Sequence, residues 1–248
     1  MLPSYDIIVY ILCLYNIFIR GNEMMKDDVV NYLFKKTVTC PVCNSVFKSI
    51  CVKSKTSRIE SKDSDFFIRY TPKVNPYFYD VWLCNSCGYA AMKSDFEHIR
   101  NFRKNMVKSN ITPKWTPRDY PETFDEKMAI ERYKLALLNA MLISSPESTK
   151  AMIALKIAWM YRLLEDHDSE LSFLKQAVQG FINTYQYEHL PVYGLQKDSL
   201  TYLIGELYRK LGDDHEALIW LAKTLGDTNA SYKIKEMART SKNIIKDK

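Results

Sequence analysis

CPVC at residues 40–43 and CNSCG at residues 84–88 carry the strongest structural signal in this chain. Each stretch holds two cysteines separated by two residues, a spacing that lets both sulfur atoms reach one metal ion from a tight turn. Zn²⁺ binds four thiolates at about 2.3 Å in tetrahedral geometry, and a glycine after the second pair favours a turn with positive φ. The pattern predicts one structural Zn²⁺ site made of Cys40, Cys43, Cys84 and Cys87.

Three other uses of paired cysteines compete with zinc. A redox dithiol usually starts a helix beside a βαβ pattern, which neither pair has. Disulfides suit a small secreted scaffold, whereas this chain has 248 residues. An iron–sulfur cluster also binds four thiolates, usually at other spacings, and it stays open with the redox alternative. Because cysteine fills all four positions, no place remains for a substrate water, which favours a structural metal.

The composition predicts a folded chain of two domains. Hydrophobic residues make up 47% of it, enough to bury a sizeable core, and the net charge is +6. The excess positive charge lies in residues 24–110, which hold 15 Lys and Arg against 8 Asp and Glu. Such a basic surface is compatible with RNA, DNA or an acidic protein, although solvated lysines explain it without any partner.

Nucleic-acid binding is therefore an alternative function. We expect a basic helix over residues 93–109, because Phe96, Ile99, Phe102 and Met106 recur at helical spacing. Basic residues would contact phosphates, and aromatic residues of the predicted strands could stack on bases. The candidate contacts are Lys53, Lys55, Arg58, Arg69, Arg100, Arg103 and Lys104.

The first 25 residues look foreign to the rest of the chain. Residues 7–19 are apolar apart from Asn16, but this stretch is shorter than the ~20 residues needed to span a bilayer. It also lacks the basic start and the cleavage site of a signal peptide. We expect translation to begin at Met24 or Met25, and we expect a cytoplasmic protein with no stable membrane insertion.

The rest of the chain divides into a ribbon, a linker and helices. The sequence of residues 26–110 predicts a zinc ribbon. Its strands are expected near 46–53, 66–71 and 77–83, because these stretches are rich in aromatic and β-branched residues. Three prolines in residues 111–124 disfavour helix and indicate a linker. Residues 125–248 show helical periodicity almost throughout. The predicted fold class is α+β, mostly α.

The helical part contains a repeat signal. Gly205, Tyr208, Gly212, Ala217 and Leu221 stand at the spacing of a tetratricopeptide repeat, in which small residues let paired helices touch. A weaker unit precedes it, with its tyrosine 47 positions earlier rather than the usual ~34. Stacked helical hairpins present a concave surface, so we expect an interaction module that binds an unknown protein or peptide there.

With these features in place, the chain resembles the bacterial domain of unknown function 2225 family, whose members join a cysteine-rich N-terminal part to helical repeats. The resemblance spans roughly residues 26–240 and implies this architecture but no activity. It rests on the two cysteine pairs, on Asp63-Ser64-Asp65-Phe66, on Asn75-Pro76-Tyr77-Phe78-Tyr79 with Val81, and on Ala129-Ile130-Glu131-Arg132-Tyr133-Lys134-Leu135-Ala136.

An enzyme is the third hypothesis. Asp63 and Asp65, near Arg69 and Asn75, could hold a divalent ion or act as acid and base. Two close aspartates in a lysine-rich loop are more often balanced surface charges. The chain has no HExxH, phosphate loop, GxSxG or dinucleotide fingerprint. The sequence favours binding over catalysis but leaves catalysis open.

Overall fold

The computed structural model describes residues 29–71 and 74–247, and the expectations for residues 1–25 lie outside these ranges. The fold is α+β and mostly α, as predicted. Within the described residues, three antiparallel hairpins precede seven α-helices. The hairpins are β1 (Leu33–Thr39) with β2 (Val46–Val52), β3 (Ile59–Lys62) with β4 (Ile68–Tyr70), and β5 (Val81–Leu83) with β6 (Ala90–Met92). The helices are α1 (Asn101–Asn110), α2 (Glu126–Leu142), α3 (Glu147–Leu163), α4 (His167–Tyr187), α5 (Lys197–Lys210), α6 (Asp214–Gly226) and α7 (Tyr232–Lys246).

Two predicted elements differ in the structure. The strand expected at 77–83 begins only at Val81, because Asn75 caps a short 3₁₀ helix by accepting from the Tyr77 amide at 3.0 Å. The basic helix expected from residue 93 begins at Asn101. Before it, Phe96 is fully buried in a separate 3₁₀ turn, where its ring lies 4.8 Å from that of Tyr89.

The β3–β4 turn and the β5–β6 hairpin share one hydrophobic core with helices α2 to α6, whereas the β1–β2 hairpin packs in separate clusters. The β5–β6 hairpin packs on α2, where two polar side chains fix it in place. Arg132 donates to the carbonyl of Val81 at 2.9 Å, and Asn139 accepts from the amide of Ala90 at 3.2 Å. Asn139 also donates to the carbonyl of Gly88 at 3.2 Å, which ties the second cysteine turn to α2.

The proline-containing segment 111–124 packs against the second cysteine turn. The Trp115 ring covers Gly88, where an added Cβ atom would lie 2.7 Å from the ring. Trp115 Nε1 donates to the Asn85 carbonyl at 2.9 Å, and the Asn85 side chain binds the backbone of Arg118 at 2.9 Å in both directions. The division of the chain at this segment remains a prediction.

The turns between α3 and α4 and between α5 and α6 have the same construction. Each helix ends in a left-handed residue, Glu165 (φ 58°) or Gly212 (φ 81°). The next residue, Asp166 or Asp213, then caps the following helix by accepting from a backbone amide at 3.1 Å.

Gly205 lets α5 and α6 approach closely. A Cβ atom there would lie 3.0 Å from Leu221 Cγ and 3.1 Å from the Leu221 amide nitrogen. We expect Gly205→Leu to wedge the helices apart and to lower the free energy of unfolding by about 1–3 kcal/mol or more. Denaturant titration measures this change. Gly226→Leu is the control, because nothing lies within 4 Å of a Cβ atom at that position. Equal stability of the two variants would contradict the close approach.

Candidate metal centre

Each cysteine pair lies in the turn of a hairpin, and the two turns have the same backbone geometry. The Asn44 amide donates to the Cys40 carbonyl at 2.9 Å, and the Gly88 amide donates to the Cys84 carbonyl at 2.9 Å. The donor residue is left-handed in both, with φ of 62° at Asn44 and 77° at Gly88. Asparagine tolerates this conformation better than most residues, so it can replace glycine in the first turn.

The two turns bring all four predicted sulfur atoms together. Cys40 Sγ lies 3.7 Å from Cys87 Sγ, Cys43 Sγ lies 3.6 Å from Cys84 Sγ, and all four lie within 4.8 Å of one another. A tetrahedron with metal–sulfur bonds of about 2.3 Å has edges of about 3.8 Å. The cysteines of the described residues form no disulfide. This arrangement is compatible with one metal ion.

The electrostatics of the cluster favour a cation at its centre. Cys40, Cys84 and Cys87 are buried, whereas Cys43 is exposed. A hydrogen bond from Cys40 lowers the pKa of the Cys84 thiol far below its ordinary value, and the same shared proton raises the pKa of Cys40 to about 12. The shared proton therefore favours a thiolate at Cys84 and keeps Cys40 protonated. A divalent metal ion would bind thiolates and displace such protons.

A comparison with protein families finds a match to a model described as "Uncharacterized protein conserved in bacteria" (DUF2225), over residues 33–245. The chain belongs to the DUF2225 family. The predicted resemblance is thus confirmed, and the match includes the cysteine cluster and the helices. Comparison with curated proteins and with solved structures returned no match. In this DUF2225 protein, no helix among the described residues combines the length and apolar character needed to cross a membrane.

Two hydroxyl groups next to the cluster were missed by the sequence analysis. Ser45 Oγ lies 3.1 Å from both Cys43 Sγ and Cys84 Sγ, and Thr112 donates to the Cys87 carbonyl at 3.1 Å. Such groups orient metal ligands and tune their basicity. The position of Ser45, two residues after the first cysteine pair, is a signal that could have found it. Nothing in the sequence near Thr112 connects it to Cys87.

Cys51 lies outside the sulfur cluster. It occupies β2 opposite Phe34, where it is half-buried, and burial raises the pKa of its thiol. The group of residues that could hold a metal does not include it. Cys51 is therefore a thiol on a strand, apart from the four clustered cysteines.

The two aspartates proposed for catalysis bind arginines in this DUF2225 protein. Asp65 is fully buried and accepts from Arg162 Nη2 at 2.6 Å, which contradicts its interpretation as a surface charge. Asp63 accepts from Arg69 at 3.1 Å and from Arg162 at 3.0 Å. Arg162 also donates to Glu170 at 2.7 Å, so one guanidinium serves three carboxylates. The Asn75 side chain caps the short 3₁₀ helix that precedes β5.

The candidate nucleic-acid contacts lie in three places. Lys53, Lys55 and Arg58 are exposed in the loop between β2 and β3, where Lys53 donates to the Asn31 carbonyl at 2.8 Å. Arg100, Arg103 and Lys104 lie at the start of α1, where Arg103 donates to the Ser144 carbonyl at 2.9 Å. Arg69 lies in β4, bound to Asp63. Three of the seven side chains thus have partners within the chain, and nucleic-acid binding stays a prediction.

Proposed function

We propose that this DUF2225 protein is a zinc-binding interaction module that holds an acidic, amphipathic segment of a partner protein in a groove on its helices. Zinc is the metal that four cysteines in two CxxC turns favour, and a closed set of thiolates suits a structural ion. A cluster of free cysteines also fits a reducing compartment such as the cytoplasm.

The observation that carries the proposal is a groove of about 670 Å³ between α3, α5, α7 and the β3–β4 turn. A groove of this size accommodates several side chains of a bound segment. Every second helix lines the groove: α3, α5 and α7 contribute residues to it, whereas α4 and α6 contribute none. Its apolar lining consists of Phe66, Tyr77, Met152, Leu155, Trp159, Leu195, Leu203, Ile234 and Met237.

Alternate helices on one side are the arrangement that stacked helical hairpins give to their concave surface. This pattern supports the tetratricopeptide-like interpretation. The β3–β4 turn occupies part of that surface, where the fully buried ring of Phe67 stacks on Trp159 at 5.4 Å. Phe66 and Lys62 from the same hairpin line the groove opposite α7. A partner segment would therefore lie between the hairpin and α7.

Among the described residues, three lysines and one aspartate, Asp198, line the groove, and this excess of positive charge favours an acidic occupant. Lys62 and Lys233 are exposed at its edge, and among the described residues neither forms an ion pair. Burial and then the charge of Lys233 lower the pKa of Lys62. Lys156 already pairs with Asp80. Carboxylates of a bound segment would thus relieve repulsion between two lysines while apolar side chains fill the groove.

Selection from a random peptide library on the metal-loaded protein tests the proposal. We expect enrichment of peptides that combine apolar residues with Asp or Glu. The double variant Lys62→Glu/Lys233→Glu should weaken binding of a selected peptide at least about tenfold, because two attractions become repulsions. Fluorescence anisotropy measures the affinity.

Lys175→Glu/Lys246→Glu is the matched control, since it changes the net charge equally at exposed positions of α4 and α7 outside the groove. Wild-type affinity in the control would place the effect at the groove edge. Selection of basic peptides, or equal weakening by both double variants, would contradict the proposed occupant.

A further inference from the structure

Arg132 of α2 carries a buried positive charge without a carboxylate partner. The residue is 6% exposed, and no ion pair among the described residues includes it. Its guanidinium donates to the Val81 carbonyl at 2.9 Å, but its Nε atom is buried without a hydrogen-bond acceptor. Burial lowers the pKa of this guanidinium to about 10. The folded chain therefore holds a cation whose hydrogen-bonding capacity is only partly used.

Arg162, in the same molecule, has the carboxylate partners that Arg132 lacks. Arg162 is similarly enclosed, and it binds Asp63, Asp65 and Glu170. Removing a charge from water is costly unless an opposite charge or several hydrogen bonds compensate it. Arg132 has the rings of Tyr120 and Phe124 at 5.0 and 4.8 Å, which attract its charge but accept no hydrogen bond from its edge.

Arg132 lines a cavity of about 430 Å³ between the β1–β2 hairpin, segment 111–124 and α2. Lys48 stands on its hairpin wall and is exposed. Two carboxylates are paired with two of the cations that line the cavity, since Glu131 pairs with Arg118 at 2.7 Å and Glu122 pairs with Lys35 at 2.5 Å. Asp119 also lines the cavity, so its polar residues include four cationic and two acidic side chains.

We propose that this cavity binds the carboxylate or phosphate group of a small anionic molecule, with the Arg132 guanidinium as its main contact and Lys48 as the second. A guanidinium is suited to this role because its planar edge offers parallel N–H donors to two oxygens of one anion. The volume lies in the range of small-molecule sites, and the aromatic wall provides an apolar surface for the rest of the ligand. This site is separate from the peptide groove, so either proposal can fail alone.

Nuclear magnetic resonance on the full, metal-loaded protein tests the site directly. The Arg132 side-chain Nε–H signal is followed while inorganic phosphate or acetate is added at constant ionic strength. We expect a saturable shift of this signal with at least one of the two anions. A shift with phosphate alone identifies a phosphate site, and a shift with both identifies a general oxyanion site. No saturable shift with either anion would overturn the proposal.

Variants at the cavity wall give a second test that leaves the buried arginine intact. Lys48→Met should raise the Kd of the effective anion about three- to tenfold, since it removes one of two cationic contacts. Lys108→Met, at an exposed position of α1 outside the cavity, should leave the Kd unchanged. Equal effects of the two variants would show that the anion binds to general surface charge and would overturn the assignment to this cavity.

Discussion

Cys84→Ser is expected to abolish metal binding and to unfold the two cysteine hairpins. Cys84 Sγ lies 3.6 Å from Cys43 Sγ within the cluster, and the hydroxyl that replaces it is a far weaker ligand than a thiolate. Structural zinc contributes about 10–16 kcal/mol to the folding of small zinc modules. The two hairpins also share a hydrophobic cluster that includes Val38, Trp82 and Tyr89, so metal loss should remove a large part of their mutual stabilisation but not all of it.

Metal analysis by native mass spectrometry, together with a thermal melt, measures the result. The wild-type protein should carry one zinc ion, and the variant should carry none and melt at a lower temperature. Cys51→Ser is the control, because Cys51 is half-buried in β2 and lies outside the cluster. Retained metal and an unchanged melt in Cys84→Ser would contradict a four-thiolate site. Iron or inorganic sulfide in place of zinc would revive the iron–sulfur alternative.

Arg162→Met is expected to be the most damaging change in the helical half. It leaves Asp65 buried without its cationic partner, beside Asp63 and Glu170. Breaking a buried pair by removing one partner costs about 3–5 kcal/mol, because the remaining charge stays desolvated. The free energy of unfolding from a denaturant titration at neutral pH measures this loss.

The loss should depend on pH in a definite direction. Desolvation alone would raise the pKa of Asp65, but hydrogen bonds and charge from Arg162 outweigh it and hold that pKa below its ordinary value. In the wild type, this contribution is therefore present above the unfolded pKa of about 3.9 and is lost as pH falls through the lower folded pKa. In Arg162→Met, Asp65 becomes neutral more readily on acidification. The difference between variant and wild type should therefore shrink between neutral pH and about pH 4.5.

Arg239→Met is the control for Arg162→Met. Its ion pair with Glu236 is exposed on α7, with side chains that are 51% and 46% accessible. We expect a change of less than about 1 kcal/mol, because water already screens such a pair. Comparable losses in both variants, or a pH-independent loss in Arg162→Met, would show that the Arg162 network does not act as a buried salt bridge.

Local patterns in the sequence were sufficient to predict which four cysteines lie together. Two CxxC turns followed by left-handed residues are determined within a few positions, and a metal ion bound by both would join them whatever the length of the intervening chain. The cap at Asp213 is equally local, because it depends on the residues directly after it. The strand at 77–83 was placed too early for the opposite reason. Aromatic residues there favoured a strand, but the Asn75 cap and Pro76 favoured a 3₁₀ turn.

The buried charges could not be predicted, because their partners come from distant parts of the chain. Asp65 lies 97 positions from Arg162, and no local pattern distinguishes it from a solvated aspartate. In the sequence, Arg132 stood out only as a member of segment 129–136, which contributes to the family resemblance. Its unusual environment arises where Tyr120, Phe124 and the Val81 carbonyl meet in three dimensions.

The position of the β3–β4 turn against the helices also limits the order in which the chain can fold. Ser64 donates to Glu206 across 142 positions, and Tyr202 donates to the Ser64 carbonyl across 138. Contacts that close such long loops form slowly, because the chain entropy is lost before the contact is made. The helices that receive the turn are translated after it: α3 supplies Trp159 and Arg162, and α5 then adds Tyr202 and Glu206. The β3–β4 turn is therefore expected to complete its contacts only after most of the helices have been made.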